Sequence, residues 1–213
     1  MKKRIILSIL CLFAFTLSAC NGDSTGTTEN NGRPEDAKIQ LLQFPHLDGY
    51  GNEVMRDMPI LFEYEMRDFV KYQVAYVSCT CRAPRVNYWS IAFFTVSKVT
   101  GEVLSLTFSD DDTEGYLAGV WGDSDPIPGT GKTYQDFKSD FIPWLVGQNL
   151  RDLDGINIFY DDTPPQYSNQ ANTKTIGEPD MIDAYAGSSV TTNNLIRVTK
   201  TLLQHHEERY MND

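Results

Sequence analysis

Short stretches in the middle of the chain constrain its fold more than any other feature. Val70–Thr80 and Tyr88–Val96 are rich in the β-branched and aromatic residues that favour strands. Thr100 and Gly101 supply a turn, and Glu102–Phe108 follows as a further strand, so that the last two strands form a hairpin. Strands joined by short connections predict an antiparallel sheet.

The chain before these strands is less regular. Ile39–Phe69 contains apolar residues without a clear period, interrupted by a turn signal at Asp48-Gly49-Tyr50-Gly51. We expect short strands or irregular segments there, leading into a helical turn near Glu63–Phe69.

Helical spacing occurs in two later segments. From Lys132 to Phe141 the pattern places Phe137 and Phe141 on one face, and the helix continues to Val146 unless Pro143 kinks or ends it. From about Thr191 to Tyr210, apolar residues recur at helical intervals: Leu195, Ile196, Val198, Leu202 and Leu203. Leu150–Ile158 is amphipathic, with a strand-like end. These elements predict a single α+β domain in which helices flank an antiparallel sheet.

The first 20 residues have the pattern of a lipoprotein signal peptide. Three basic residues at positions 2–4 precede the apolar run Ile5–Phe15, which is too short to span a bilayer. Leu17-Ser18-Ala19-Cys20 reads as a bacterial lipobox. We therefore expect Cys20 to be lipidated and the protein to be extracytoplasmic, anchored to a bacterial membrane.

Composition then separates a tether from a domain. Residues 21–37 are small, polar and acidic, as in a flexible linker, and residues 38–213 are enough for one domain with a core. The net charge of the whole chain is −11, and without the three basic residues of the signal it is about −14. Such a charge argues against a nucleic-acid partner, because phosphate backbones require basic surfaces.

Hydroxyl side chains crowd the expected start of the last helix. Ser188, Ser189, Thr191 and Thr192 stand where such groups cap backbone N–H donors, and Gly187 leaves room for a close approach. A helix start also favours negative charge, so the stretch is suited to a phosphate. The alternative is an ordinary capped helix whose apolar face packs on the core.

Cys79 and Cys81 are the two cysteines that remain once Cys11 and Cys20 are assigned to the signal. Alternate residues of a strand face the same side about 6–7 Å apart, so a disulfide between them would strain the backbone. Three interpretations stay open: thiols in the core, a redox pair beside a flavin, or half of a metal site. We expect no other metal site: the acidic run Asp110–Glu114 lacks EF-hand spacing, and His205 and His206 are expected at the surface.

The stretch from Asp183 to Ser189 resembles the flavinylation motif of FMN-binding domains. In that family an Asp precedes a Ser or Thr, then Gly and Ala, then a Thr that carries FMN through a phosphoester. Asp183, Gly187 and Ser189 take the places of the Asp, the Gly and the acceptor, and Ser189 keeps the hydroxyl. Ala186 and Ser188 differ from the motif.

A second motif supports the resemblance. Pro128-Gly129-Thr130-Gly131 is similar to the family's Pro-Gly-x-Gly loop, which follows an antiparallel pair and leads into an amphipathic helix. The two motifs occur in the order that the family has. FMN-binding domains are found in extracytoplasmic subunits of Rnf-type and sodium-translocating NADH:quinone oxidoreductases, and in related lipoproteins.

The resemblance implies FMN as the cofactor, held by two sets of residues: Asp183, Gly187, Ser188, Ser189, Thr191 and Thr192, and the loop Pro128–Gly131. It further implies an electron-transfer subunit rather than a self-sufficient catalyst, with a membrane oxidoreductase or quinone-linked donor as its partner. A flavin transferase is a further partner if FMN is covalent. The alternatives are a cofactor-free lipoprotein binding module and a thiol or metal protein built on Cys79 and Cys81.

Overall fold

The computed structural model describes residues 39–48, 52–80, 88–109, 125–127, 131–154 and 189–212. The chain divides into two units, Met1–Ala37 and Lys38–Asp213, and every described residue belongs to the second unit. The signal peptide and the whole tether lie outside the described residues.

Five strands form one sheet, and each pairs antiparallel with the next, so that their order in space is their order in the chain. They are β1 (Gln40–Leu47), β2 (Glu53–Glu65), β3 (Phe69–Cys79), β4 (Tyr88–Ser97) and β5 (Val103–Phe108). Short connections between adjacent antiparallel strands account for this simple order. The predicted antiparallel sheet and α+β class are confirmed.

The expected helical turn near Glu63–Phe69 is wrong. β2 continues to Glu65, and β3 begins at Phe69, with only three residues between the two strands. Glu63 and Tyr64 pair with Tyr72 and Lys71, so cross-strand hydrogen bonds satisfy the backbone that a helical turn would have satisfied internally. A bulge between Ile60 and Phe62 shifts the register, which disguised the alternation of β2 in the sequence.

The helical elements are α1 (Tyr134–Asp136), a π-turn (Phe137–Phe141), α2 (Ile142–Leu145), α3 (Leu150–Asp154) and α4 (Val190–Tyr210). Thr133 and Asp136 form a capping box at the start of α1. The rings of Phe137 and Phe141 stack with centroids 5.6 Å apart, as the pattern predicted for one face. Pro143 has no N–H to donate. It lies near the start of α2, just after the π segment, and the helix ends at Leu145.

Leu150–Asp154 is helical, and residues 155–158, where the strand-like end was expected, lie outside the described residues. α4 agrees with its predicted range within one residue. Its apolar side chains Leu195, Ile196, Val198, Leu202 and Leu203 are buried against one face of the sheet. No described helix is both long enough and apolar enough to cross a membrane.

The two faces of the sheet differ. Alternate strand residues point to opposite faces, and one set, including Phe44, Met58, Tyr72 and Phe94, is buried in the main core. The other set includes the exposed side chains of Phe62, Lys71 and Phe93. We call this second surface the open face of the sheet.

Candidate functional site at the start of the last helix

Ser189 is the N-cap residue of α4. Its Oγ accepts a hydrogen bond from the backbone N–H of Thr192 at 3.0 Å, and its carbonyl accepts from Asn193 N at 3.1 Å and from Thr192 Oγ1 at 3.1 Å. This is the capping role that the sequence predicted for a hydroxyl here. The residue proposed as the flavin acceptor therefore lies where the positive end of a 21-residue helix dipole is strongest.

The start of α4 is fully enclosed. Ser189 is 0% exposed, and the polar side chains of Thr191, Thr192, Asn193 and Asn194 are at most 1% exposed. The first turn of α4 contains no acidic residue, although helix starts favour Asp and Glu. The backbone donors of this turn are therefore not matched with a carboxylate from the turn itself.

Asn194 joins α4 to two strands at once. Its Oδ1 accepts from Leu47 N at 2.7 Å, and its Nδ2 donates to the carbonyl oxygens of Leu47 and Ser78, each at 2.9 Å. Leu47 is the last residue of β1, and Ser78 lies next to the last residue of β3. One side-chain amide therefore satisfies three buried backbone groups at the ends of these strands. These three hydrogen bonds fix the position of α4 on the sheet.

Arg197 follows on the next turn and is 1% exposed. Its Nε donates to Asn193 Oδ1 at 2.7 Å, and its Nη1 donates to Pro45 O at 2.9 Å and to Glu53 Oε2 at 2.7 Å. The guanidinium charge is thus paired with a carboxylate whose side chain is 41% exposed, which lowers the cost of burying it.

His46 lies on β1 and is completely buried, with neither ring nitrogen hydrogen-bonded. Burial, followed by the positive charge of Arg56, lowers the pKa of His46 to about 4, so the ring is neutral at neutral pH. Its ring meets Phe44 edge-on with centroids 5.8 Å apart. His46 stands two residues after Phe44 on β1, and this i+2 spacing places both side chains on the buried face of the sheet.

Cys79 ends β3 and forms a small buried cluster with Tyr88 and Val190, the first residue of α4. Cys79 is disulfide-bonded, and its partner lies outside the described residues, as Cys81 also does. The interpretation of Cys79 as a free thiol is therefore wrong. The expectation rested on flat-strand geometry, whereas the register shifts between Val77 and Cys79, so the backbone is irregular there. The tertiary fold places Cys79 against Val190, the residue next to Ser189.

Of the Pro-Gly-x-Gly loop the structure describes only Gly131, together with the flanking Ile127 and Lys132. Gly131 has φ +69°, a conformation that glycine adopts without strain, and its N–H donates to Ile127 O at 3.1 Å while Ile127 N donates to Lys132 O at 2.7 Å. Ile127 is buried in the main core, whereas Val190 belongs to the separate cluster with Cys79. Pro128, Gly129 and Thr130 lie outside the described residues, as do Asp183, Gly187, Ser188 and Cys20.

The opposite end of α4 corrects one expectation. His205 and His206 are 9% and 0% exposed, so neither is a surface residue. His206 bonds Tyr72 Oη through Nδ1 at 2.8 Å and Ser97 O through Nε2 at 3.0 Å. Adjacent helical residues do point apart, but His205 turns toward β1 and β2, where its Nδ1 lies 3.3 Å from Gln40 Nε2 and its Nε2 lies 3.5 Å from Glu63 Oε2.

No family model, curated protein or solved structure matches this chain. Within the described residues, no group of three or more His, Cys, Asp or Glu side chains is placed to hold a metal ion.

Proposed function

We propose that this chain is a membrane-anchored, extracytoplasmic flavoprotein that binds FMN at the start of α4 and carries electrons. The observation that carries the proposal is the position of Ser189 as the N-cap of a long helix whose first turn contains no acidic residue. The motif resemblance assigns the phosphate acceptor to the same residue. Two independent arguments, one from motif and one from geometry, therefore meet at one hydroxyl.

The residues present suit a phosphate. Ser189 Oγ accepts from Thr192 N, and phosphate oxygens at this position would take over that acceptor role. Ser189 and the adjacent hydroxyl residues Thr191 and Thr192 carry no negative charge that would repel it. FMN, when bound, supplies the reversible uptake of one or two electrons, and the protein supplies position and environment.

The burial of Ser189 bears on how attachment would occur. A hydroxyl with 0% exposure is closed to a second enzyme in the folded domain. If FMN is covalent, we expect a flavin transferase to act before the start of α4 is enclosed. The electron donor would be a membrane oxidoreductase or a quinone-linked protein, and the lipid anchor at Cys20 would keep the domain near it.

The decisive experiment is mass spectrometry of the full chain after co-expression with a flavin transferase. We expect a yellow protein whose denatured mass is higher by one FMN minus one water. Ser189→Thr keeps both the hydroxyl and the cap and should retain the mass increase. Ser189→Asn keeps a capping side chain but has no hydroxyl, so it should fold and lose the covalent flavin.

Thr191→Ala and Thr192→Ala are the controls for the neighbouring hydroxyls and should retain the modification. A mass increase that persists in Ser189→Asn, or that disappears in Thr192→Ala alone, would contradict the assignment of Ser189. A chain from its native host that is colourless and unmodified would instead favour the cofactor-free binding module. The thiol or metal alternative is less well supported, because Cys79 is already in a disulfide.

A further inference from the structure

We propose that the open face of the sheet carries a separate ligand site for a small amphiphilic anion, a molecule with a flat apolar body and one acidic group. This face is opposite to the one covered by α4, so the proposal does not depend on flavin binding at Ser189. The site is a cavity of about 510 Å³ in the middle of the sheet. That volume is in the range of small-molecule pockets and is too small for a folded partner.

Two neighbouring rows of cross-strand pairs form the cavity. In the first row, Phe62 of β2 pairs with Gln73 of β3, which pairs with Phe93 of β4, which pairs with Thr107 of β5. All four residues line the cavity. Phe62 and Phe93 thus stand on either side of Gln73, two strand spacings or about 10 Å apart.

The two phenyl rings provide the apolar part of the site. Phe62 is 51% exposed and Phe93 is 39% exposed, although large apolar side chains are usually buried. Phe62 is supported by Tyr64, whose ring is nearly parallel to it with centroids 6.0 Å apart. Exposed aromatic rings on either side of a polar floor are suited to a flat ligand that stacks on one of them.

The second row provides the charge. Tyr64 pairs with Lys71, Lys71 with Thr95, and Thr95 with Ser105. Lys71 is exposed and, within the part of the chain that the structure describes, no carboxylate pairs with it. By contrast, Lys98, Lys200, Arg197 and Arg209 are all paired with carboxylates.

The remaining polar groups of the cavity are neutral. Ser105 Oγ donates to Thr95 Oγ1 at 2.8 Å, which leaves the Thr95 hydroxyl proton as a donor for a ligand. An unpaired ammonium among neutral hydroxyl and amide groups favours an anion in this cavity, although the whole chain has a net charge of −11. The combination of one cation with two exposed rings is the reason to expect an acid with a flat body.

The test is a fluorescence titration of the full chain with two matched probes. One is 8-anilinonaphthalene-1-sulfonate, a flat anion, and the other is the neutral N-phenyl-1-naphthylamine. Lys71→Gln should weaken binding of the sulfonate about tenfold and change binding of the neutral probe less than twofold. Arg67→Gln removes the same charge from a side chain that is 94% exposed and lies outside the cavity. This substitution should not change the binding of either probe.

Phe93→Thr introduces another residue that favours strands, and it should weaken the binding of both probes. The far-ultraviolet circular dichroism spectrum should remain that of the parent chain. Ser189→Asn should leave both probes unaffected, which separates this site from the proposed flavin site. Equal sulfonate affinities in Lys71→Gln and Arg67→Gln would overturn the proposal. So would fluorescence that increases with added urea, since that is the behaviour of a partly unfolded chain.

Discussion

The two ends of α4 are fastened to the sheet by different chemistry. At the start, Asn194 bonds the backbone of β1 and β3 with a neutral amide that is 0% exposed. At the end, Glu63 accepts a hydrogen bond from Tyr210 Oη. Its Oε1 also lies 3.2 Å from Nε of Arg209, whose side chain is 53% exposed. Hydrogen bonds between buried neutral groups are insensitive to salt and pH, but no other contact replaces one of them when it is lost. The charged, partly exposed contacts at the end of α4 share the Glu63 carboxylate, so the loss of one contact leaves the others in place.

The buried histidines sharpen the contrast. His206 has both nitrogens bonded, whereas His46 has neither bonded. Burial lowers the pKa of both rings, but for His206 the bond to the Ser97 carbonyl opposes the effect. At Glu63, burial alone would raise the pKa, yet the bonds from His205 and Tyr210 and the charge of Arg209 hold it below its usual value. The ring of His206 at the end of α4 is thus fully hydrogen-bonded, whereas the neutral ring of His46 on β1 is not.

The largest expected effect follows from removing the amide at the start of α4. Asn194→Ala leaves Leu47 N–H, Leu47 C=O and Ser78 C=O without their partner in a buried place, so we expect a loss of about 3–5 kcal/mol in the free energy of unfolding. Urea denaturation measures it. Asn52→Ala, at an exposed position, is the control and should cost under about 0.5 kcal/mol. A cost below about 1 kcal/mol for Asn194→Ala would show that the amide is not what holds this end.

The second effect is acid sensitivity at His46. Its folded pKa of about 4 lies below the ordinary value of 6.5, so the unfolded chain takes up the proton first. The contribution of the neutral ring is fully present above pH 6.5 and is lost as the pH falls from 6.5 to 4, by about 3 kcal/mol. His46→Leu should remove this part of the pH dependence and cost little at pH 7, because it breaks no hydrogen bond.

His206→Leu is the matched comparison, since it breaks the bonds to Tyr72 and Ser97 and should destabilise the fold already at pH 7. Urea midpoints measured between pH 7 and pH 4 distinguish the two variants. Identical pH profiles for His46→Leu and the parent chain would contradict the assignment of the acid response to His46.

The smallest effect is expected at the charged end. Arg209→Gln removes one of three contacts to Glu63, and we expect a loss of under about 1 kcal/mol, because a half-exposed ion pair is screened by water and salt. The loss should be greater at low ionic strength and vanish at high salt. Arg67→Gln serves as the control at a more exposed position. A loss as great as that of Asn194→Ala would remove the distinction between the two ends.

Local patterns determined much of this protein. The alternation in Val70–Thr80 and Tyr88–Val96 predicted β3 and β4, because a strand buried on one face must alternate. Helical spacing predicted α4, and the serine at its start predicted the cap that Ser189 provides. These features depend on residues within a few positions of one another, and for that reason they could be predicted from the sequence.

Tertiary structure decided what lies between distant residues. Asn194 bonds Leu47 across 147 positions, and Cys79 packs beside Val190, the residue that follows the candidate acceptor Ser189. No spacing in the sequence predicts either contact or the burial of His205 and His206. Propensity and period describe one element at a time, whereas burial and bonding of a polar side chain depend on which strand or helix lies opposite it.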